Sequence, residues 1–194
     1  MCKSVLLSVL AIVFLTTTAA YGTTVLFDFA GKAGPGLIAG NQNGTVLGTP
    51  GSGGELGAGI TYDDVTNILS INAGWGSGNG FTNLTGNATA GHLHGPTSPA
   101  PAGYTQDAGV DVGLDDKPGW NASATNGGFN GTVTLSALQE TRLLAQEYYM
   151  NVHTGTNSGG EIRGHLIIVP EPTSACLLLA GSGLFLRRNR RVTK

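Results

Sequence analysis

Hydrophobic and polar residues alternate along most of the chain in short runs, which is the pattern of half-buried β-strands. Such runs are "TTVLFDFA" at 23–30, the two arms of "GITYDDVTNILSINAGW" at 60–62 and 68–71, "TAGHLHG" at 89–95, "GFNGTVTLS" at 128–136, "EYYMNVHT" at 147–154 and "EIRGHLIIV" at 161–169. Between the last two, Gly155, Gly159 and Gly160 permit a tight reversal. Because the strands are short and no helices alternate with them, we expect an all-β fold, an antiparallel β-sandwich of the immunoglobulin-like or Greek-key type.

One stretch has a different pattern. "SALQETRLLAQ" at 136–146 predicts a single short helix, with Ser136 as its N-cap and Leu138, Leu143 and Leu144 on one face. The segments 31–59 and 95–107 are rich in Gly, Pro and Ala, and we expect them to be long surface loops.

The N-terminal end is distinct from the middle of the chain. Residues 1–22 join an early lysine to an apolar run over 5–15 and then to small residues, which is the plan of a secretory signal peptide. The run is too short for an anchoring helix, so we expect an exported protein. Residues 23–168 are enough for one domain with a proper core.

The C-terminal end, 169–194, reads "VPEPTSACLLLAGSGLFLRRNRRVTK": a Pro-Glu-Pro triplet, a short apolar segment and an arginine cluster. This segment resembles the PEP-CTERM sorting signal of bacteria. The matching residues are Pro170, Glu171, Pro172, Arg187, Arg188, Arg190 and Arg191. The resemblance implies an exosortase-like membrane protease as partner and delivery to the cell surface or extracellular matrix, with membrane contact only through this segment. A plain C-terminal anchor is the alternative.

Charge and cysteine content narrow the function further. The whole chain carries a formal net charge of −2, but residues 21–170 hold eleven Asp and Glu against four Lys and Arg, about −7. An acidic domain without a basic stripe excludes nucleic acid as a partner. Cys2 and Cys176 both lie in the segments expected to be removed, so we expect no disulfide in the mature protein.

Two longer motifs carry a second resemblance. "GHLHGP" at 91–96 and "GTVTLSALQETRLLAQEYYMNVHTGTNSGGEIRGHL" at 131–166 resemble the CHRD domain, the module named after chordin and also found in exported bacterial proteins. The chain has His165 where that family more often has glutamine. Since the family's animal members bind growth-factor ligands, the resemblance implies a binding or structural module, with an extracellular polysaccharide or a surface protein as partner, and no catalysis.

The histidines supply an alternative function. His92 and His94 are two apart on a strand and therefore share a face, and His153 lies on another strand. Glu161 and His165 follow on the return strand, on the same side as Arg163. Imidazole and carboxylate groups in this number suit zinc or copper, so the alternative is a small secreted metalloprotein built on His92, His94 and His153, with a redox role if the metal is copper.

Purely structural roles are the other interpretation of these residues. The histidines can bond to backbone groups in turns, and Glu161 can pair with polar neighbours across the sheet.

The segment "DAGVDVGLDD", 107–116, is either a solvated loop or a calcium site, although it lacks EF-hand spacing. Trp75 and Trp120 either stack on sugar rings or pack in the core. No Gly-X-Ser-X-Gly motif is present for nucleophilic catalysis.

Overall fold

In the computed structural model, residues 22–123 and 125–170 are described. This part of the chain holds eleven strands, all paired antiparallel, and one α-helix, α1, Ala137–Leu144. The strands are β1 Thr24–Gly31, β2 Gly34–Pro35, β3 Leu37–Ile38, β4 Ser52–Asp63, β5 Ile68–Trp75, β6 Ala88–His94, β7 Val110–Gly113, β8 Trp120–Ser123, β9 Asn126–Thr134, β10 Tyr149–Thr154 and β11 Ile162–Ile168. The prediction of an all-β sandwich with one short helix is confirmed.

The strands follow one another across the sheet in the order β7-β6-β10-β11-β1-β4-β5-β9-β8. Outside this order, β2 pairs with β1, and β3 pairs with β11 and β4. The sheet folds over so that strands from its two ends meet. A Cβ added at Gly91 of β6 would lie 2.2 Å from the ring of Trp120 in β8. The Trp120 ring in turn lies 5.1 Å, centroid to centroid, from that of Trp75 in β5. The inward residues of the folded sheet, among them Phe29, Ile71 and Phe129, make one buried core.

The predicted loop 31–59 contains β2, β3 and most of β4, which is a correction to the sequence analysis. Its Gly-rich part has no alternating pattern, yet it pairs with β5. Glycine is what allows this pairing, because a Cβ at Gly53 would lie 2.5 Å from the carbonyl oxygen of Gly74. Trp75 lies in a strand and is fully buried, as the core interpretation of that residue predicts.

The helix begins where predicted. Ser136 and Gln139 form a reciprocal capping box. The prediction that Leu138, Leu143 and Leu144 lie on one face is wrong: Leu143 is buried, whereas Leu138 is 60% and Leu144 37% exposed. Because residues advance about 100° around a helix, Leu138 and Leu143 point about 140° apart.

The two ends lie mostly outside the described residues. Of the predicted signal peptide only Gly22 is described, and of the sorting segment only Val169 and Pro170. Among the described residues, no helix is long and apolar enough to cross a bilayer.

Candidate metal centre

The four histidines predicted to carry chemistry lie on one side of three neighbouring strands, β6, β10 and β11, and Glu161 directly precedes β11. Cross-strand pairing sets residues of this side in two rows, His94–Tyr149–His165 and His92–Asn151–Arg163. The residues between them, such as Leu93 and Met150, point the other way into the core, as strand alternation requires. The result is a polar layer behind the hydrophobic core.

Segments that the sequence predicts as surface loops cover this layer. The side-chain amide of Gln42 donates to Asn151 at 2.6 Å, and Asp107 accepts from Arg163 at 2.7 Å. Asn151 and Arg163 are therefore buried, although both are polar. The loops act as a lid on the polar face rather than as free surface.

Three of the predicted metal ligands come together. One ring nitrogen from each of His92, His94 and His153 lies within 4.8 Å of the others. His92 Nδ1 and His153 Nε2 lie 3.2 Å apart. His94 is buried, and His92 and His153 are half-buried. Among the described residues, this is the one group of three His, Cys, Asp or Glu side chains close enough to share an ion.

The second nitrogen of each ring faces an oxygen acceptor. His94 Nδ1 lies 3.0 Å from the carbonyl oxygen of Ala108, and His153 Nδ1 lies 2.9 Å from that of Ser158. His92 Nε2 lies 3.4 Å from a carboxylate oxygen of Asp115. A carbonyl oxygen can only accept, so Nδ1 carries the proton in His94 and in His153, and the lone pair of each of these rings is left on Nε2. His92 Nδ1 is in hydrogen-bond contact with His153 Nε2, and His92 Nε2 faces the Asp115 carboxylate.

The surroundings keep the buried rings neutral. Burial lowers the pKa of His94 and of His153, and the neighbouring imidazoles lower both further. His94 Nε2 is buried and has no hydrogen-bond partner among the described residues. A neutral imidazole with a free nitrogen is the form of histidine that binds metal ions.

Glu161 is placed apart from this group. Its carboxylate accepts five hydrogen bonds, two from Thr85 and one each from Gly51, Thr154 and Asn157. Burial acts against ionisation of Glu161, but these bonds outweigh it and lower the pKa below its usual value. The ionised side chain ties two loops, at Gly51 and Thr85, to the β10–β11 hairpin.

His165 is also apart from the three histidines. Its Nε2 lies 3.0 Å from Nη2 of Arg163, which must be the donor because a guanidinium cannot accept. Burial, with the nearby Arg163 charge, lowers the pKa of His165 to about 4. His165 is therefore a neutral acceptor for a buried arginine.

The four aspartates of the segment 107–116 bind separate partners. Asp107 pairs with Arg163, Asp111 with Arg142 and Tyr148, Asp115 with His92, and Asp116 with Lys117. Part of the segment is β7, not loop. The acidic run therefore serves as a set of individual ion pairs in this structure.

Sequence reasoning missed the acceptors that orient the histidines. Those of His94 and His153 are backbone carbonyls of Ala108 and Ser158, which leave no signature in a sequence. Asp115 is a side chain and can be recognised in the sequence as an acidic residue. Its proximity to His92, however, depends on the pairing of β6 with β7, which the sequence pattern does not give. Tyr149, which stacks on His94 at 5.0 Å between ring centroids, was also missed as a neighbour of the site.

Comparison with known proteins identifies the module that carries this site. A search of curated proteins and a search of solved structures return no match. The model of one family, described as the CHRD domain, matches residues 37–166, a span that contains all four histidines of the chain. The match covers well over half of the sequence, and the chain therefore belongs to the CHRD domain family.

Proposed function

We propose that this CHRD protein is an exported surface or extracellular-matrix protein whose sandwich binds one copper or zinc ion through His92, His94 and His153. The observation that carries the proposal is that one nitrogen from each of three imidazoles lies within 4.8 Å of the others while the second nitrogen of each ring faces an oxygen. Metal-binding histidines in proteins are oriented by second-shell acceptors of this kind.

The spacing of the nitrogens supports a shared ion. Two nitrogens bound at about 2.0–2.1 Å to one tetrahedral zinc lie about 3.3 Å apart. His92 Nδ1 and His153 Nε2 are 3.2 Å apart. In the metal-free protein this contact is a hydrogen bond between the two rings, and an ion bound by both nitrogens would take its place.

Three protein ligands leave a coordination position for an outside ligand. Catalytic and ligand-binding zinc sites commonly combine three protein side chains with water, whereas closed structural sites use four. Copper(II) also accepts imidazoles in this number. Because His92 and His153 are only half-buried, the open position lies within reach of solvent or of a small ligand.

The setting of the module is part of the proposal. The signal peptide at 1–22 supports export, and the Pro170-Glu171-Pro172 triplet with its arginine cluster supports sorting by an exosortase-like protease. In that location the partner of the domain is an extracellular polysaccharide or a surface protein. The acidic character of the domain agrees with a function that does not involve nucleic acid.

The test is elemental analysis of the exported protein, purified without a histidine tag. We expect close to one copper or zinc per chain, with loss of the metal in the His92→Ala/His94→Ala double variant. The metal should also raise the melting temperature of the wild type alone, because an ion that binds only the folded state stabilises that state.

His165→Gln is the matched control, because it removes a histidine outside the cluster while leaving an acceptor for Arg163. It should keep the metal. A wild type that takes up neither ion and melts at the same temperature with and without them would overturn the metal proposal. The function would then rest on partner binding by the CHRD module.

A further inference from the structure

Residues 106–108, which we call the strap, cross the polar face beside His94. The strap belongs to no strand or helix and is tied to the sheet by side chains. The Gln106 side chain also accepts a hydrogen bond from the Ser98 N–H at 2.7 Å and donates one to Ser98 Oγ at 2.9 Å. The position of the strap is therefore set by the residues that it contacts.

The Ala108 end of the strap holds the metal-site histidine. The carbonyl oxygen of Ala108 accepts from His94 Nδ1 at 3.0 Å and from the Tyr149 hydroxyl at 3.3 Å. The backbone N–H of Ala108 donates to the same hydroxyl at 3.1 Å. The ring planes of His94 and Tyr149 are 4° apart, so the two rings stack. The backbone of one residue, Ala108, thus fixes the tautomer and the orientation of His94.

The other end of the strap is held by Arg163. Its guanidinium donates to Asp107 at 2.7 Å and to the carbonyl oxygen of Gln106 at 2.5 Å. The guanidinium carbon also lies 3.5 Å from the centroid of the Tyr149 ring. Since β10 lies between β6 and β11, Tyr149 separates His94 on one side from Arg163 on the other.

We propose that Arg163 and Asp107 are positioning residues for the metal centre: their ion pair clamps the strap, and the strap presents Nε2 of His94 to the ion. The inference rests on the proposed metal-binding function and extends it to residues that touch no ion. The Arg163 side chain is 1% exposed and that of Asp107 is 70% exposed. A buried arginine fixed to a surface carboxylate is suited to holding a loop segment down, because loss of the carboxylate leaves the buried charge short of a partner.

The experiment compares Asp107→Ala with Asp116→Ala. Both variants remove one exposed carboxylate from the same acidic segment, but Asp116 pairs with Lys117 and does not touch the strap. We expect Asp107→Ala to weaken zinc and copper binding by about 10–100-fold, the usual effect of losing an outer-shell partner. Asp116→Ala should stay within about twofold of the wild type, and Asp107→Glu should restore part of the affinity.

A second readout uses the protein without metal. Nitrogen-15 NMR of the histidine side chains should show His94 as a single Nδ1–H tautomer in the wild type and in Asp116→Ala, and as a tautomer mixture in Asp107→Ala. A general loss of stability does not produce this change in a variant that remains folded. If Asp107→Ala proves unfolded, Asp107→Asn removes the charge with less change in shape and answers the same question.

If Asp107→Ala keeps the wild-type metal affinity and the wild-type His94 tautomer, the clamp proposal is wrong. It is also wrong if Asp116→Ala loses as much metal affinity as Asp107→Ala. Failure of the proposed function looks different, because the wild type itself would then bind no ion. In that case the tautomer of His94 in the metal-free variants still decides whether the clamp positions it.

Discussion

At the scale of single residues, the polar face depends on buried charged groups that are each held by several neighbours. Glu161 stays ionised because five donors surround it, and Arg163 stays buried because Asp107, Gln106, His165 and Tyr149 contact it. Removing one partner from such a group leaves an unsatisfied charge or dipole, which costs more than a surface contact. Stability should therefore respond to the protonation of these groups.

His165 gives a prediction about pH. Its pKa is about 4 in the folded protein, below the ordinary 6.5, so the unfolded chain binds a proton first as the pH falls. Stability should decline as the pH drops through 6.5 and should level off below about 4. Between about pH 7 and about pH 4.5, we expect His165 to lower the free energy of unfolding by about 2–3 kcal/mol.

Urea denaturation with chelator present measures this contribution as the difference between the wild type and His165→Gln. His94 and His153, whose pKa values are also lowered, contribute to both proteins and cancel in the difference. An identical pH dependence in the two proteins would mean that His165 is not held neutral by burial.

At the scale of elements, strand parity predicted which side chains share a face, but only the register decides which of them meet. The spacing of His92 and His94, and the place of His153 on the last hairpin, were enough to predict that these three side chains come together. Glu161 and His165 share that parity, yet β10 separates β11 from β6 and places them among other partners. The strap and the Gly-rich β4 lacked any periodic pattern, because their positions depend on contacts from distant parts of the chain.

The β10–β11 hairpin allows a prediction about its turn. Of the three glycines expected to permit the reversal, Gly160 alone has a positive φ, 115°, and a Cβ there would lie 2.2 Å from the Asn151 amide. Gly155 and Gly159 have open space around them. We expect Gly160→Ala to lower the free energy of unfolding by about 1–3 kcal/mol or more, since both backbone strain and a clash oppose it.

Gly155→Ala and Gly159→Ala are the matched controls and should lie within about 0.5 kcal/mol of the wild type. Urea denaturation of the three variants settles the comparison, provided that the slope with denaturant is unchanged. If all three glycines tolerate alanine equally, the turn is not fixed by the backbone conformation of residue 160.

At the scale of the whole molecule, the two segments proposed for processing are attached at the same end of the domain. β1 is the first strand along the chain and β11 is the last. The two are antiparallel neighbours in the sheet, with Phe27 paired to Ile168. The last backbone bond before the triplet joins Val169 N to the carbonyl oxygen of Leu26 at 2.9 Å. Pro170 follows and is exposed. Cuts before residue 23 and after residue 170 would therefore leave every strand of the sandwich intact.

This arrangement predicts that the protein found at the cell surface lacks both ends and melts at the same temperature as the uncut chain. Intact-mass spectrometry of the protein from its native cells should give a species that begins near residue 23 and ends near the Pro-Glu-Pro triplet. Replacing Pro170 and Pro172 with alanine should retain the long form, because the proline-fixed extended segment that the protease reads is lost. Recovery of the arginine-rich C-terminal peptide on mature wild-type protein would instead identify the tail as a permanent anchor. It would leave the sandwich and its histidine cluster unchanged.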